Sequence, residues 1–330
     1  MLVGTDFSAY SMNTFQLIHE AGCFAEDGYD KSKTMLAEIK EQIKKDAGVA
    51  SFTCDISQLP ENKPISSKMH KPYDHNLLGQ DLVPPRFING NRVETENGVY
   101  FLAGCPKSYE AAGWYWEEII KNGVKVVVSL HDETEGGDRA NKFWTQEQLD
   151  KMAFPEGIEI KVLSSRVLDE RPQVEVTSKN GKTKTVDAKI VETILEITNG
   201  EKKEEKRHLH YAGWPDRCSI PSEDLFKTLV DRIEAFSPDK ESPIAINCLG
   251  GVGRTGSTAI TIDERRKIRK WLAQGDSLEA LTTNLAEAIF NFRRQRTHVL
   301  GNETQVPQVL LSLGKFAVAE KERLVMVEAK

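Results

Sequence analysis

The stretch Ile244-Ala-Ile-Asn-Cys-Leu-Gly-Gly-Val-Gly-Arg-Thr-Gly256 joins a short apolar run to a glycine-rich turn. The apolar run is typical of a buried strand, and the residues beyond the turn have helical spacing. The glycines let successive backbone N–H groups point into one concavity, and the helix that follows adds the positive end of its dipole. The stretch therefore predicts a strand, an anion-binding loop and a helix, in that order.

One cysteine and one arginine indicate the chemistry of this anion site. Cys248 lies where a helix end and a cation lower a thiol pKa to roughly 3.5–7.5. Arg254, six residues later, has a planar fork that grips two oxygens of a phosphate. We predict Cys248 as nucleophile and Arg254 as phosphate ligand. The remaining phosphate-binding positions are predicted to be the loop residues Leu249, Gly250, Gly251, Val252 and Gly253.

The same stretch allows other interpretations. Residues 251–256 match the dinucleotide fingerprint G-x-G-x-x-G, but that fingerprint needs an acidic residue about twenty positions further on. Asp263 and Glu264 come too early, inside the predicted helix. A nucleotide P-loop is excluded because no Lys-Ser or Lys-Thr follows the last glycine. A structural role, with Cys248 as a small buried side chain, stays as an alternative.

The pattern Cys-x5-Arg-Thr-Gly resembles the signature of protein tyrosine phosphatases. Other landmarks of that family occur in the family's order over roughly residues 66–310. They are Pro72-Tyr-Asp-His75, Phe87-Ile-Asn89, Gly113-Trp-Tyr-Trp-Glu117, residues 126–130, His208-Leu-His-Tyr-Ala-Gly-Trp-Pro-Asp216 and Gln295-Arg296. The resemblance implies an α/β (α+β) domain with a strongly twisted mixed sheet flanked by helices. It also implies a reaction without metal or cofactor.

The resemblance assigns roles to individual residues. Cys248 attacks phosphorus to form a cysteinyl-phosphate, and Asp216, on a closing loop with Trp214 and Pro215, acts first as general acid and then as base. Further implied roles belong to three residues. Thr255 donates to the departing thiolate, Glu135 orients Arg254, and Gln305 positions the attacking water. Arg139 lies near the position of a family lysine.

The chain departs from the family pattern at several positions. Asn247 precedes the nucleophile where the family has histidine, so it cannot supply positive charge to the thiolate. Arg217 and Cys218 follow the acid where Phe-Gly is usual. Ile65-Ser-Ser67 replaces Asn-Arg-Tyr, and Gly301 stands at the first of two family glutamines. These changes leave phosphotyrosine selectivity open, and Cys218 raises the hypothesis of a reversible disulfide with Cys248.

Composition limits the partners and the compartment. The 330 residues carry 44 Lys and Arg against 50 Asp and Glu, a net charge of −6, without a basic run suited to nucleic acid. No apolar run is long enough to span a bilayer. The 5 cysteines are too few and scattered for a disulfide framework, which predicts a cytoplasmic protein. The divergence is similar to that of some bacterial secreted phosphatases, so delivery into a host cell is an alternative location.

Periodicity outlines the elements and domains. Strands are predicted at 124–130, 158–162, 173–177, 189–198 and 243–247, and helices at 31–47, 108–121, 222–236, 255–273 and 278–294. Asn180-Gly181 predicts a hairpin, and therefore a partly antiparallel sheet. A polar, proline-containing stretch at 51–71 suggests a boundary near residue 60. Residues 1–60 are thus predicted to be a helical extension and 61–330 the catalytic domain.

Three functions are compatible with these residues. The first is hydrolysis of phosphotyrosine in proteins. The second is a dual-specificity or phosphoinositide phosphatase, favoured by the missing tyrosine and by Arg217, which can meet extra phosphates. The third is a pseudophosphatase that binds phosphoproteins without turnover, for which Asn247 and the single glutamine are the support.

Overall fold

The computed structural model describes residues 6–26, 29–46, 72–132, 135 and 142–328. Several sequence predictions lie outside these residues. They are the linker at 51–71 with its boundary near residue 60, the Ile65-Ser-Ser67 segment, Arg139, and the last residue of the helix predicted at 31–47.

Strands and helices alternate along most of the chain. The strands are β1 (Ser11–Asn13), β2 (Gly90–Glu94), β3 (Val99–Gly104), β4 (Val126–Leu130), β5 (Ile158–Thr177), β6 (Thr183–Asn199), β7 (Lys202–Ala212), β8 (Ile244–Cys248) and β9 (Thr282–Asn284). The helices are α1 (Thr14–Glu26), α2 (Asp30–Lys45), α3 (Tyr109–Lys121), α4 (Gln146–Leu149), α5 (Glu223–Phe236), α6 (Gly253–Ala273), α7 (Leu285–Arg293) and α8 (Val306–Glu328). A 3-10 turn at Ser8–Tyr10 precedes β1.

A seven-stranded sheet with the order β2-β3-β8-β4-β7-β6-β5 forms the centre of the fold. Strands β3, β8, β4 and β7 run parallel, whereas β2, β6 and β5 pair antiparallel with their neighbours. The predicted mixed, twisted sheet flanked by helices is therefore confirmed. The predicted hairpin is confirmed as well, since β5 and β6 pair antiparallel and Gly181 has a φ of 73° at the turn.

The central strands are covered on both faces, which is why β3, β4 and β8 are buried at every position. On one face Ile246 and Val128 pack with α6, α7 and α8. On the other face Phe101 and Val127 pack against α3 through Trp116. The carboxyl ends of the buried parallel strands meet at one edge, and β8 ends there at Cys248.

Hydrogen-bonded caps explain where several helices begin. The side chains of Ser108 and Ser222 accept from the N–H groups of Ala111 and Leu225, so α3 and α5 begin one residue later than predicted. The helix predicted at 278–294 is wrong in its first half. Residues Thr282–Asn284 form strand β9 on β1, and Asn284 then caps α7. The two short strands predicted at 158–162 and 173–177 are one strand, β5.

The amino-terminal helices pack on the same core as the sheet. Leu17 of α1 and Met35 of α2 are buried in the cluster that contains Ile246. The predicted helix at 31–47 corresponds to α2, and Arg294 Nε lies 2.8 Å from Asp46 Oδ2 at its end. Whether residues 1–60 are an extension separate from 61–330 stays a prediction. Within the described ranges, no helix has the length and apolar character needed to cross a membrane.

Candidate active site

Cys248 ends strand β8 and begins the glycine-rich loop. Its side chain is only 2% exposed, and the Gly251 N–H donates to its Sγ over 3.2 Å. Gly251 has a φ of +67°, and a Cβ there would lie 2.3 Å from the carbonyl carbon of Ala103. The loop can therefore pass over β3 with its amide directed at the sulfur only if this residue is glycine.

Arg254, in the first turn of α6, is the centre of the polar contacts. Its Nη1 lies 3.1 Å from both oxygens of Glu135 and donates over 2.5 Å to the Trp214 carbonyl. Its Nη2 lies 3.3 Å from Asp216 Oδ1. Burial by itself lowers the pKa of the guanidinium, but the negative charges of Cys248, Glu135 and Asp216 raise it overall. The arginine therefore stays a cation inside the protein.

Glu135 joins this arginine to the loop that carries Asp216. Its Oε1 accepts from the Asp216 N–H as well as from Arg254. Burial raises the pKa of the Glu135 carboxyl, and Arg254 partly offsets that effect. The structure therefore brings two predicted site residues, Glu135 and Asp216, onto the buried guanidinium of a third, Arg254, on which the charge of Cys248 also acts.

The acid loop, residues 214–219, is folded against the protein by its own turns. Trp214 is fully buried and its indole Nε1 donates to the Cys218 carbonyl over 3.3 Å. The Cys218 N–H donates to the Pro215 carbonyl over 3.3 Å, and burial raises the pKa of the Cys218 thiol. Cys218 and Cys248 are both free thiols, so the hypothesised disulfide is not formed here and stays a prediction.

Gln305 contacts both the acid loop and α6, and Thr255 lies in the first turn of α6. Gln305 Nε2 donates to the Cys218 carbonyl over 2.9 Å, and its Oε1 accepts from Ser257 Oγ over 2.9 Å. It thus connects the acid loop with α6. Thr255 Oγ1 is buried and makes no hydrogen bond with the described residues. Their predicted roles, positioning water and donating to the thiolate, stay predictions.

Asn247, the residue before Cys248, belongs to a buried hydrogen-bond chain that sequence reasoning missed. Ser129 Oγ donates to Asn247 Oδ1 over 2.9 Å and lies 2.8 Å from His208 Nε2. Because the hydroxyl proton goes to Asn247, the proton between Ser129 and His208 belongs to the imidazole Nε2. Burial lowers the pKa of His208 well below its usual range, so the chain begins with a neutral imidazole.

Arg296 was noted only as a family landmark, yet it holds the carbonyl side of the loop. Its Nε donates to the Gly251 carbonyl over 3.2 Å, and its Nη2 to the Gly250 carbonyl over 3.3 Å. Burial lowers the pKa of this guanidinium to about 10. Arg296 thus fixes the carbonyl side of the loop, while the Gly251 N–H on the other side donates to Cys248 Sγ.

Comparisons with known proteins agree with this fold. The sequence model of the family described as protein-tyrosine phosphatase matches residues 66–312. Human tyrosine-protein phosphatase non-receptor type 18 is 24% identical over 241 residues, which are 71% of this chain and 46% of that protein. The secreted effector protein SptP of Salmonella typhi is 38% identical over 77 residues, 21% of this chain and 14% of that protein. The chain spans less than half the length of these curated relatives.

Solved structures show the same architecture. The crystal structure of the catalytic domain of human protein tyrosine phosphatase non-receptor type 18 matches with a TM-score of 0.66 and 20% identity, covering 90% of this chain and 99% of that one. A structure of that phosphatase with HER2 phosphopeptides matches with a TM-score of 0.68 and 20% identity, covering 87% of this chain and 93% of that one. The fold is therefore that of protein tyrosine phosphatase catalytic domains. With its family match over residues 66–312, the chain belongs to the protein-tyrosine phosphatase family.

Proposed function

We propose that this protein hydrolyses phosphotyrosine in proteins through a cysteinyl-phosphate intermediate. The observation that carries the proposal is the convergence on one buried guanidinium. Arg254 contacts Glu135 and Asp216, and its pKa is raised by the nearby charge of Cys248. A phosphate bound to Arg254 in place of these carboxylates has Cys248 as nucleophile, Arg254 as bidentate cation and Asp216 as acid around it.

In the first step the Cys248 thiolate attacks phosphorus and the bond from phosphorus to the tyrosyl oxygen breaks. The electron pair goes to the leaving oxygen, which takes a proton from Asp216. Arg254 and the loop N–H groups bind the equatorial oxygens, where charge accumulates in the transition state.

In the second step water attacks phosphorus and the bond from sulfur to phosphorus breaks. Asp216, now a carboxylate, accepts a proton from the water, and the electron pair returns to sulfur. Gln305, which reaches from the acid loop to α6, is the proposed residue for positioning that water. Thr255, with a buried hydroxyl that makes no described hydrogen bond, is the proposed donor to the returning thiolate.

Phosphorylated proteins are the proposed partners, since structures of human phosphatase non-receptor type 18 hold HER2 phosphopeptides. The cytoplasm, of the producing cell or of a host, is the proposed compartment. Among the described residues, Cys105, Cys218 and Cys248 are thiols outside any disulfide, which supports a reducing environment.

The test is to compare the native protein with Cys248→Ser on a generic aryl phosphate and a phosphotyrosyl peptide. Turnover should fall below about one per cent, while vanadate binding survives because the loop remains. Acid quenching of the native protein should place phosphate on the peptide that contains Cys248. Cys105→Ser is the matched control, since its side chain lies near Tyr115. Residual turnover above that level, or phosphate on another residue, would refute the mechanism. An inactive native protein that still binds phosphopeptides would be a pseudophosphatase.

A further inference from the structure

Arg217, directly after the proposed acid, has a strained backbone and an exposed side chain. Its φ is 57°, in the left-handed region that residues with a Cβ rarely adopt. Its side chain is 79% exposed, so burial of apolar surface does not explain the conformation. Strain of this kind persists where the surroundings impose it, and it concentrates at functional sites.

The tip of the β5–β6 hairpin imposes this conformation. The Lys179 N–H donates to the Arg217 carbonyl over 2.9 Å. On the next residues, the Ser219 N–H donates to the Thr177 carbonyl over 2.8 Å, and the Thr177 N–H donates to Ser219 Oγ over 2.9 Å. Because three hydrogen bonds flank it, Arg217 is held in place relative to the hairpin although its side chain points outward.

The guanidinium lies beside Asp216, the proposed acid. Arg217 Nε lies 3.7 Å from Asp216 Oδ2, while the other oxygen of Asp216 lies 3.3 Å from Arg254. In the proposed reaction Arg254 binds the phosphate and Asp216 is protonated. Arg217 then loses its carboxylate neighbour, so its cation is available to an anion on the substrate.

The β5–β6 hairpin adds further positive charge near Arg217. Lys184 of β6 is exposed. Burial raises the pKa of the Cys218 thiol, next to Arg217 in the chain, and the positive charge of Lys184 partly offsets that effect. Lys182, in the hairpin turn, is exposed too. Lys179 contributes less, because its Nζ pairs with Glu303 at 3.3 Å. Arg217, Lys182 and Lys184 are therefore three exposed cations on the acid loop and the hairpin that holds it.

We propose that Arg217, supported by Lys184, binds an anionic group that flanks the phosphorylated tyrosine on the same peptide. The group is a carboxylate of Asp or Glu or a second phosphate, which a planar guanidinium binds through two parallel hydrogen bonds. The inference rests on the proposed function, because the occupant of the neighbouring site is a phosphotyrosyl peptide. It makes Arg217 a specificity-determining residue for acidic phosphopeptides.

The test measures peptide binding and turnover separately. Three matched phosphotyrosyl peptides carry Asp and Glu, Asn and Gln, or a second phosphate beside the phosphotyrosine. Dissociation constants are measured with Cys248→Ser, alone and combined with Arg217→Gln, Lys184→Gln or Lys203→Gln. Lys203 is an exposed cation on β7 that pairs with Glu196, and it serves as the control.

The acidic peptide should bind about twofold to fivefold tighter than its amide counterpart, the range of one exposed ion pair. The doubly phosphorylated peptide should show a larger preference. Arg217→Gln should bring both ratios close to one, Lys184→Gln should reduce them, and Lys203→Gln should leave them unchanged. Raising the salt concentration should reduce the ratios in the parent protein.

Equal binding of the three peptides, or ratios that survive Arg217→Gln, would overturn the inference whether or not the enzyme turns over. Tighter binding of inositol phospholipid vesicles than of all three peptides would overturn it as well. The native protein tested on the same peptides addresses the proposed function on its own. Turnover of all three at equal kcat/KM would retain that function and reject the role of Arg217.

Discussion

Asp216, the proposed general acid, is tied to two other residues of the site. Its carboxylate contacts Arg254 at 3.3 Å, and its backbone N–H donates to Glu135. Asp216 thus contacts the cation that is proposed to bind phosphate, and it is also the proposed proton donor. Replacing it tests proton transfer without removing the cation or the nucleophile.

Asp216→Asn should lower kcat by about 10²–10⁴-fold, because an amide cannot protonate the leaving oxygen. The high-pH limb of the rate profile should flatten, and the loss should shrink for aryl phosphates whose leaving groups need no proton. Profiles on leaving groups of different basicity are the measurement. Asp224→Asn, an exposed aspartate at the start of α5, is the matched control. An unchanged profile on a basic leaving group would remove Asp216 from the mechanism.

The chain from His208 through Ser129 to Asn247 gives a second prediction. Ser129→Ala leaves the Asn247 Oδ1 and the His208 Nε2–H buried without their partner, and each loss costs about 1–3 kcal/mol. The free energy of unfolding should therefore fall by about 2–6 kcal/mol. Because Asn247 adjoins Cys248, the proposed nucleophile, kcat/KM should fall as well. Urea unfolding and steady-state kinetics measure both effects.

Ser165→Ala is the control for Ser129→Ala. Ser165 is exposed on β5 and its hydroxyl pairs with Thr193 of β6, so the loss of this surface hydroxyl should cost little. If both variants lose the same stability and neither loses activity, the chain through Ser129 has no bearing on the nucleophile.

These residues also mark what sequence reasoning can reach. Cys248, Arg254 and Asp216 were identified because a strand, a glycine-rich turn and a short motif carry them in local patterns. The contacts of Ser129 cross 79 residues to His208 and 118 to Asn247, and no local pattern encodes them. Asn247 was read as a lost cation, whereas its place in a neutral buried chain depends on strand order.

At the scale of elements, the β5–β6 hairpin differs most from its prediction. Two short strands were predicted, because the stretch between them is polar and mostly exposed in β5. Antiparallel pairing with β6, interrupted by register shifts, makes it one strand that reaches the acid loop. Exposed strands have little hydrophobic alternation, so periodicity alone cannot follow them.

Lys179→Pro should weaken the link between this hairpin and the acid loop. Lys179 follows Ser178 in the turn that Gly181 closes, a position where proline is favoured, so the turn should persist. Proline lacks the N–H that donates to the Arg217 carbonyl, so this hydrogen bond is lost. The kcat should therefore fall about twofold to tenfold, with the larger loss on basic leaving groups. Lys179→Ala removes only the ion pair with Glu303 and is the control. Equal kinetics for the two variants would contradict the link.

At the scale of the whole molecule, α1 and α2 share the core of the catalytic sheet. Leu17 is fully buried there. Helix α1 packs so closely on α8 that a Cβ added at Gly314 would clash with Ile18. The predicted division at residue 60 rested on a change in composition, which says nothing about which surfaces pack. Burial of Leu17 gives a direct test of whether the first helices fold with the rest.

Leu17→Ala should lower the free energy of unfolding by about 2–5 kcal/mol in a single transition. Leu163→Ala, at a half-exposed position on β5, is the matched control and should cost far less. Chemical unfolding followed by tryptophan fluorescence measures both, since Trp116 and Trp214 lie in the main cores. An unchanged main transition in Leu17→Ala would show that the helices are a separable extension.

Glu264 of α6 gives the pH dependence of stability for the whole molecule. It is almost fully buried, its Oε2 accepts no hydrogen bond from the described residues, and Lys267 lies 3.7 Å away. Burial raises the pKa of this carboxyl from 4.5 to about 7, against the opposing charge of Lys267. Between these two pH values the folded protein holds a proton that the unfolded chain has released. The contribution of Glu264 to the free energy of unfolding is therefore fully present below about pH 4.5 and is lost as pH rises through 7.

Glu264→Gln keeps the shape of the protonated carboxyl and cannot ionise. Its free energy of unfolding relative to the native protein should rise by about 3 kcal/mol between pH 4.5 and 7.5, and stay level above, since each pKa unit corresponds to about 1.4 kcal/mol. Urea unfolding of both proteins at several pH values measures this difference. The other titrating groups contribute equally in both proteins, so their effect cancels. Glu201→Gln, at an exposed turn between β6 and β7, should give a difference that does not change with pH. If the curves of the native protein and Glu264→Gln run parallel across this range, Glu264 is already ionised in the folded state, and Lys267 stabilises it more than burial opposes it.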